Sequence, residues 1–170
     1  MLLADRILDK IVEVASSGRS RIAVCDLYGV SCEGWLKVEL LRAFTATLLS
    51  SDNAEILPEH QNVDLTIRTA SEEVLLELKT FPTNYGRPGK PITNFIGSVV
   101  SDLKKLSIRR TSSTIGLAVW MAYPVPDPLP ATWPNHVAKV EAAAARTRRG
   151  VRIPLLSEKQ FANLYIMESH

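Results

Sequence analysis

The run IGLAVWMAYPV, Ile115 to Val125, is apolar almost throughout and is bounded on both sides by turn-forming residues. A strand of this composition is buried on both faces and sits at the centre of a sheet. The rest of the chain supplies the partners for such a strand. Leu3, Ile7, Ile11 and Val14 recur at helical spacing until Gly18 breaks the pattern. From Glu33 to about Ser50, Trp35, Val38, Leu41 and the pair Leu48/Leu49 lie near one stripe of a second helix. The intervening RIAVCDLYG reads equally as a short strand or an irregular connection. SDNAEIL is a turn entering a short strand, and VDLTIRT and EVLLELKT are two further strands joined by the turn-forming TASEE.

After Thr80 the texture changes. FPTNYGRPGKPITN contains three prolines and two glycines, which predicts a loop of unusual length carrying Arg87 and Lys90. Thr93 or Asn94 is placed to cap a helix over FIGSVVSDLKKLSI, with Phe95, Val99 and Leu106 on one face and Lys104 and Lys105 toward water. Beyond the central strand and a proline-rich connection, Pro134 starts an alanine-rich helix reaching about Arg146, and VRIPLL and FANLYIM follow as strands. The expected architecture is a single α/β domain over residues 1–170, with a central mixed sheet flanked by helices.

Composition narrows the classes of function. The chain has 170 residues, 46% of them apolar and 22% charged, enough for one well-formed core. Its formal charge of +2 rules out a polycation that coats nucleic acid indiscriminately, so nucleic-acid binding would need a local basic patch. Cys25 and Cys32 lack metal-ligand spacing and follow no signal peptide, which predicts reduced thiols in a cytoplasmic protein. No apolar run approaches the roughly 20 residues of a membrane span.

The chemistry concentrates in the hairpin. Side chains alternate faces along a strand, so Glu77 and Lys79 share a face while Leu76 and Leu78 share the other. Taken alone, Glu77 and Lys79 read as an ion pair on a half-exposed strand. Asp64 lies between Val63 and Leu65 on the preceding strand, and antiparallel pairing through TASEE brings it near Glu77. Two carboxylates in a partly buried site repel unless a cation lies between them. An all-oxygen site of this kind suits Mg²⁺ or Mn²⁺, with Lys79 placed to orient a water or offset charge on a phosphate.

The sequence of Asp64, twelve residues, Glu77, one residue, Lys79 resembles the PD-(D/E)XK nuclease superfamily, whose restriction endonuclease-like fold is shared by many restriction and DNA repair nucleases. The resemblance covers roughly Glu33 to Leu106. It implies that an acid on the second strand and the E-x-K of the third hold one or two divalent metals, and that a glutamate on the first core helix joins them. Glu39 in EGWLKVELLRAF matches that helical glutamate, and Val63 stands where the name-giving proline would precede Asp64. The implied activity is Mg²⁺- or Mn²⁺-dependent hydrolysis of DNA, with Asp64, Glu77 and Glu39 as metal ligands and Lys79 beside the attacking water. The alternative is a catalytically inactive module of the same fold that binds nucleic acid or protein. A nuclease this compact is expected to rely on a second copy or a partner protein for recognition.

Arg87, Lys90, Lys104 and Lys105 are the expected phosphate contacts, with RTRRGVR, Arg146 to Arg152, as a further basic run or as a cationic helix end answering the dipole. Asp102 falls near the apolar face of its helix. Glu33 reads as a helix N-terminal charge favoured by the dipole, and His60 as a loop residue.

Overall fold

The computed structural model describes residues 2–85, 91–157 and 159–170. Its elements run in the order α1 (Leu3–Ser17), α2 (Arg19–Tyr28), α3 (Glu33–Asp52), β1 (Glu55–Pro58), a 3-10 turn (His60–Asn62), β2 (Leu65–Arg68), β3 (Glu73–Pro82), α4 (Ile92–Ile108), β4 (Thr114–Pro126), α5 (Trp133–Glu141), β5 (Arg146–Pro154) and β6 (Gln160–Glu168). The six strands form one mixed sheet in the order β1-β2-β3-β4-β6-β5. Among the described residues its only parallel pair is β3 with β4, joined across one face by α4.

The apolar run that demanded a central position has it. Leu117, Val119, Met121 and Tyr123 of β4 face the core beneath α1 and α3, whereas Ala118, Trp120 and Ala122 face the core beneath α4 and α5. β3 divides in the same way, with Val74, Leu76 and Leu78 on the α1/α3 side and Leu75 and Phe81 on the α4/α5 side. On that second side Phe81, Trp120 and Tyr165 stack successively, at 6.2 and 4.5 Å between ring centroids.

Several elements depart from the sequence expectation. RIAVCDLYG is helical as α2, closed by Gly29 in the left-handed conformation at φ 65°. The alanine-rich helix stops at Glu141, and the basic run belongs to edge strand β5, so RTRRG is not a helix C-terminus. Pairing with β6 overrides the local helical preference: Arg146 lies opposite Glu168 and Arg149 opposite Ile166. α4 begins three residues before Phe95, with Pro91 preceding it and no side-chain cap from Thr93 or Asn94.

The most consequential difference is the rotational phase of α3. Its buried row is Leu36, Leu40, Phe44 and Leu48, whereas Val38, expected on the stripe, is 62% exposed. Apolar residues occur around much of this helix, so the packing against α1 and the sheet, rather than the periodicity, decides which row faces inward.

Candidate active site

The site forms where β2 begins beside the middle of β3. Leu65 pairs with Leu76, and the antiparallel register carried one step further sets Asp64 opposite Glu77. Asp64 is anchored there by its own carboxylate, since Leu78 N–H donates to Asp64 Oδ2 at 2.8 Å. Glu77 points toward α4 and is only 6% exposed. The register sets the two carboxyl groups side by side across the β2–β3 pair, close enough for each to feel the other's charge.

Helix α3 approaches from the other side. Tyr123 on β4 accepts the Cys32 N–H at 2.8 Å and donates to the Val30 carbonyl at 2.8 Å, tying the start of α3 to the centre of the sheet. Ser31 adds a hydrogen bond to the Thr80 carbonyl at 2.8 Å. These ties press Glu33 against β3: its Oε2 accepts the Thr80 N–H at 3.3 Å and lies 3.7 Å from Lys79 Nζ. Glu33 is therefore engaged with the E-x-K strand and does more than cap a helix dipole. One helical turn on, Lys37 Nζ contacts Asp64 Oδ1 at 2.8 Å and also pairs with Glu59.

Glu39 is placed elsewhere. It sits two residues past Lys37, about 200° around the helix. There it pairs with Arg42 at 2.9 Å and lines a cleft with Lys10, Glu13 and Trp35, between α3 and the first two helices. The expectation that Glu39 joins Asp64 and Glu77 is corrected by the phase of α3. Glu33 is the helical acid that reaches the E-x-K strand.

α4 closes the site. Lys105, expected to face water, forms an ion pair with Glu77 Oε1 and donates to the Asn62 carbonyl at 2.6 Å. That carbonyl belongs to a turn in which Glu59, Gln61 and Asn62 all take positive φ, between 53° and 60°. Three such non-glycine residues together are uncommon and mark a stretch held by its surroundings. Asp102, one turn before Lys105, senses the charges of Lys79, Lys105 and Asp64, and its Oδ2 is buried without a hydrogen-bond partner among the described residues. Lys104 is exposed and takes no part in the cluster. Arg87 and Lys90 lie outside the described residues.

The electrostatics separate the two central carboxyls. Burial, reinforced by the nearby Asp64 and Asp102 charges, pushes Glu77 up to about 7 in spite of Lys105. Burial works against ionised Asp64 as well, but Lys37, the Leu78 N–H and the contact with Glu77 outweigh it and hold Asp64 below the usual carboxylate range. Asp102 is raised, chiefly by burial, with the two lysines opposing. An ionised acid beside one poised near neutrality is the split expected where two carboxyls share a proton or a cation.

The donor set is entirely oxygen. Among the described residues, Glu77 Oε1, although paired by charge with Lys105, has no hydrogen-bond donor properly directed at it. Those features fit a hard divalent ion between Asp64 and Glu77. Among the described residues, no group of three or more His, Cys, Asp or Glu side chains stands ready as a metal cage, and Lys37 and Lys105 pair with Asp64 and Glu77 respectively. Among the described residues, too, no helix is long and apolar enough to cross a membrane. No protein-family model matches the chain, and no curated protein or solved structure is significantly similar to it.

Proposed function

We propose that this chain is a divalent-metal-dependent nuclease of restriction endonuclease-like fold that hydrolyses DNA phosphodiester bonds. The observation that carries the reading is the register that sets Asp64 opposite Glu77 across β2 and β3, with Lys79 two residues along the same strand. What supports the reading further is the order of helix, three strands, helix and parallel strand from α3 to β4, with Asp64 immediately before β2 and Glu77 and Lys79 on β3. Asp64 and Glu77 would hold Mg²⁺ or Mn²⁺, which supplies the positive charge that activates water and offsets charge on the phosphate. Lys79, held near Glu33, orients the water and adds a cation toward the phosphate. The preference for DNA over RNA rests on the resemblance alone.

The test is direct. Purified protein is expected to bind Mn²⁺ by calorimetry and to cut DNA only when metal is present, while Asp64→Asn and Glu77→Gln fold normally and lose both properties. Absence of Mn²⁺ binding, together with intact DNA in duplex, single-stranded and branched forms, would sink the reading. A second reading is a catalytically inactive binding module of the same fold, favoured by the pairing of Lys37, Lys79 and Lys105 with acids in the site. Metal-independent DNA or protein binding that survives Asp64→Asn would support it. A second copy or a partner protein remains part of the proposal, with sedimentation of the purified chain as its measurement.

A further inference from the structure

Lys105 stands out because of what its ammonium touches. It contacts two oxygens of different origin, the Glu77 carboxylate and the Asn62 backbone carbonyl. A carboxylate and a carbonyl oxygen are the donors a hard divalent cation prefers. The carbonyl comes from a turn whose residues at 59, 61 and 62 all have left-handed backbones, and Arg109 holds the neighbouring Gln61 carbonyl. The oxygens are thus fixed by the fold around a positive charge that already sits between them.

We propose, resting on the nuclease reading above, that Lys105 is a built-in counter-ion which occupies the cation position of the metal-free site, and that a divalent ion binds by displacing its ammonium from Glu77 and Asn62. The ammonium keeps Glu77 and the turn in a metal-ready arrangement without leaving the glutamate unpaired in the interior. It also sets which ions compete. Sodium or potassium gains no charge by replacing an ammonium, whereas Mg²⁺ or Mn²⁺ brings a second positive charge to two adjacent carboxyls. The site is therefore selective for divalent ions and binds them more weakly than its oxygens alone would. If Lys105 fills the position in about nine molecules of ten, the apparent affinity falls about tenfold.

The experiment compares Mn²⁺ binding by calorimetry in wild type, Lys105→Met and Lys104→Met, with Glu77→Gln as the ligand control. Lys104 is exposed on the same helix, so its variant makes the same change in net charge away from the oxygens. Lys105→Met is expected to bind Mn²⁺ about tenfold more tightly than wild type, and Lys104→Met less than about twofold differently. Measurable binding by Lys105→Met alone, with wild type below detection, supports the proposal in its strongest form. Equal or weaker binding by Lys105→Met overturns it; if wild type still binds Mn²⁺ and Glu77→Gln does not, the nuclease reading survives that failure. Loss of binding in both wild type and Lys105→Met overturns proposal and reading together. A measurement on wild type covers the case in which the variant fails to fold. The Lys105 side-chain NMR signal, assigned with Lys105→Arg, should shift with Mg²⁺ and stay fixed with Na⁺, and a signal unmoved by saturating Mg²⁺ overturns the displacement.

Discussion

Glu77 and Glu168 are buried to nearly the same degree, at 6% and 3% exposure, yet their surroundings treat them in opposite ways. Glu168, at the end of β6, receives Arg146 Nε and Arg148 Nη1 at 2.9 Å each, and Arg110 Nη2 at 3.3 Å. Burial alone would raise it, but Arg146 and Arg148 outweigh that and hold it below the ordinary glutamate range. Arg148 continues to Asp5 at 2.8 Å, so the cluster clamps edge strand β5 to α1. Among the described residues Glu77 has one ammonium and two acidic neighbours, and its carboxyl is raised. A glutamate whose charge is fully answered by arginines has no room for a ligand, and one left short of positive charge has a use for a cation. Burial does not separate a structural carboxylate from a site; the surplus or deficit of countercharge does.

The largest effect is expected at the structural end. Glu168→Ala leaves three guanidiniums around an empty position and should cost about 3–5 kcal/mol by denaturant unfolding. A loss under about 1 kcal/mol would mean that the arginines are answered elsewhere, and the comparison would break. At the other end the expectation is reversed. Asp64→Asn and Glu77→Gln should reduce Mn²⁺-dependent cleavage at least about a hundredfold, equivalent to about 2.7 kcal/mol of barrier, while changing stability little.

Two smaller effects sharpen the contrast. Glu33→Gln should lower metal-dependent cleavage about tenfold by loosening Lys79, whereas Glu39→Gln should stay within about twofold because its partner is the exposed Arg42. Equal losses would return Glu39 to the site. The smallest effect is a pH dependence of opposite sign at the two glutamates. Glu77 titrates near 7 in the fold and near 4.5 in the unfolded chain, so its contribution is full below about 4.5 and is lost as pH rises through about 7. Metal-free wild type should therefore lose stability relative to Glu77→Gln between pH 5 and pH 8. Glu168 is lowered in the fold, so its contribution is present above the ordinary glutamate range and is lost as the pH falls through its folded value. Wild type should therefore lose its advantage over Glu168→Gln on acidification, and thermal melts across pH for the three proteins check both signs.

Much of this contrast is invisible in the sequence, and the reasons are physical. Strand alternation and the hairpin turn are local, so the placement of Asp64 opposite Glu77, with Lys79 on the same strand face, follows from the letters. The helical period of α1 and the central position of β4 follow in the same way. The phase of α3 does not, because Trp35, Val38 and Leu41 spread apolar surface beyond the row of Leu36, Leu40, Phe44 and Leu48 that packing selects. That phase decides between Glu33 and Glu39. The spacing of Glu33 and Lys37, one turn apart on one side of the helix, was the available signal for both residues, and it gains meaning only once that side is known to face β3.

Residue order alone dictates the elements with a strong local period and the pair of carboxyls that one hairpin sets opposite each other. The countercharges come from long-range packing: Lys37 from α3, Lys105 from α4 and the arginines from around β5 reach their acids across 27, 28 and 20 or more residues of chain. Such pairings depend on how helices seat on the sheet, and the net of many weak contacts that sets those seats leaves no periodic trace in the residues themselves.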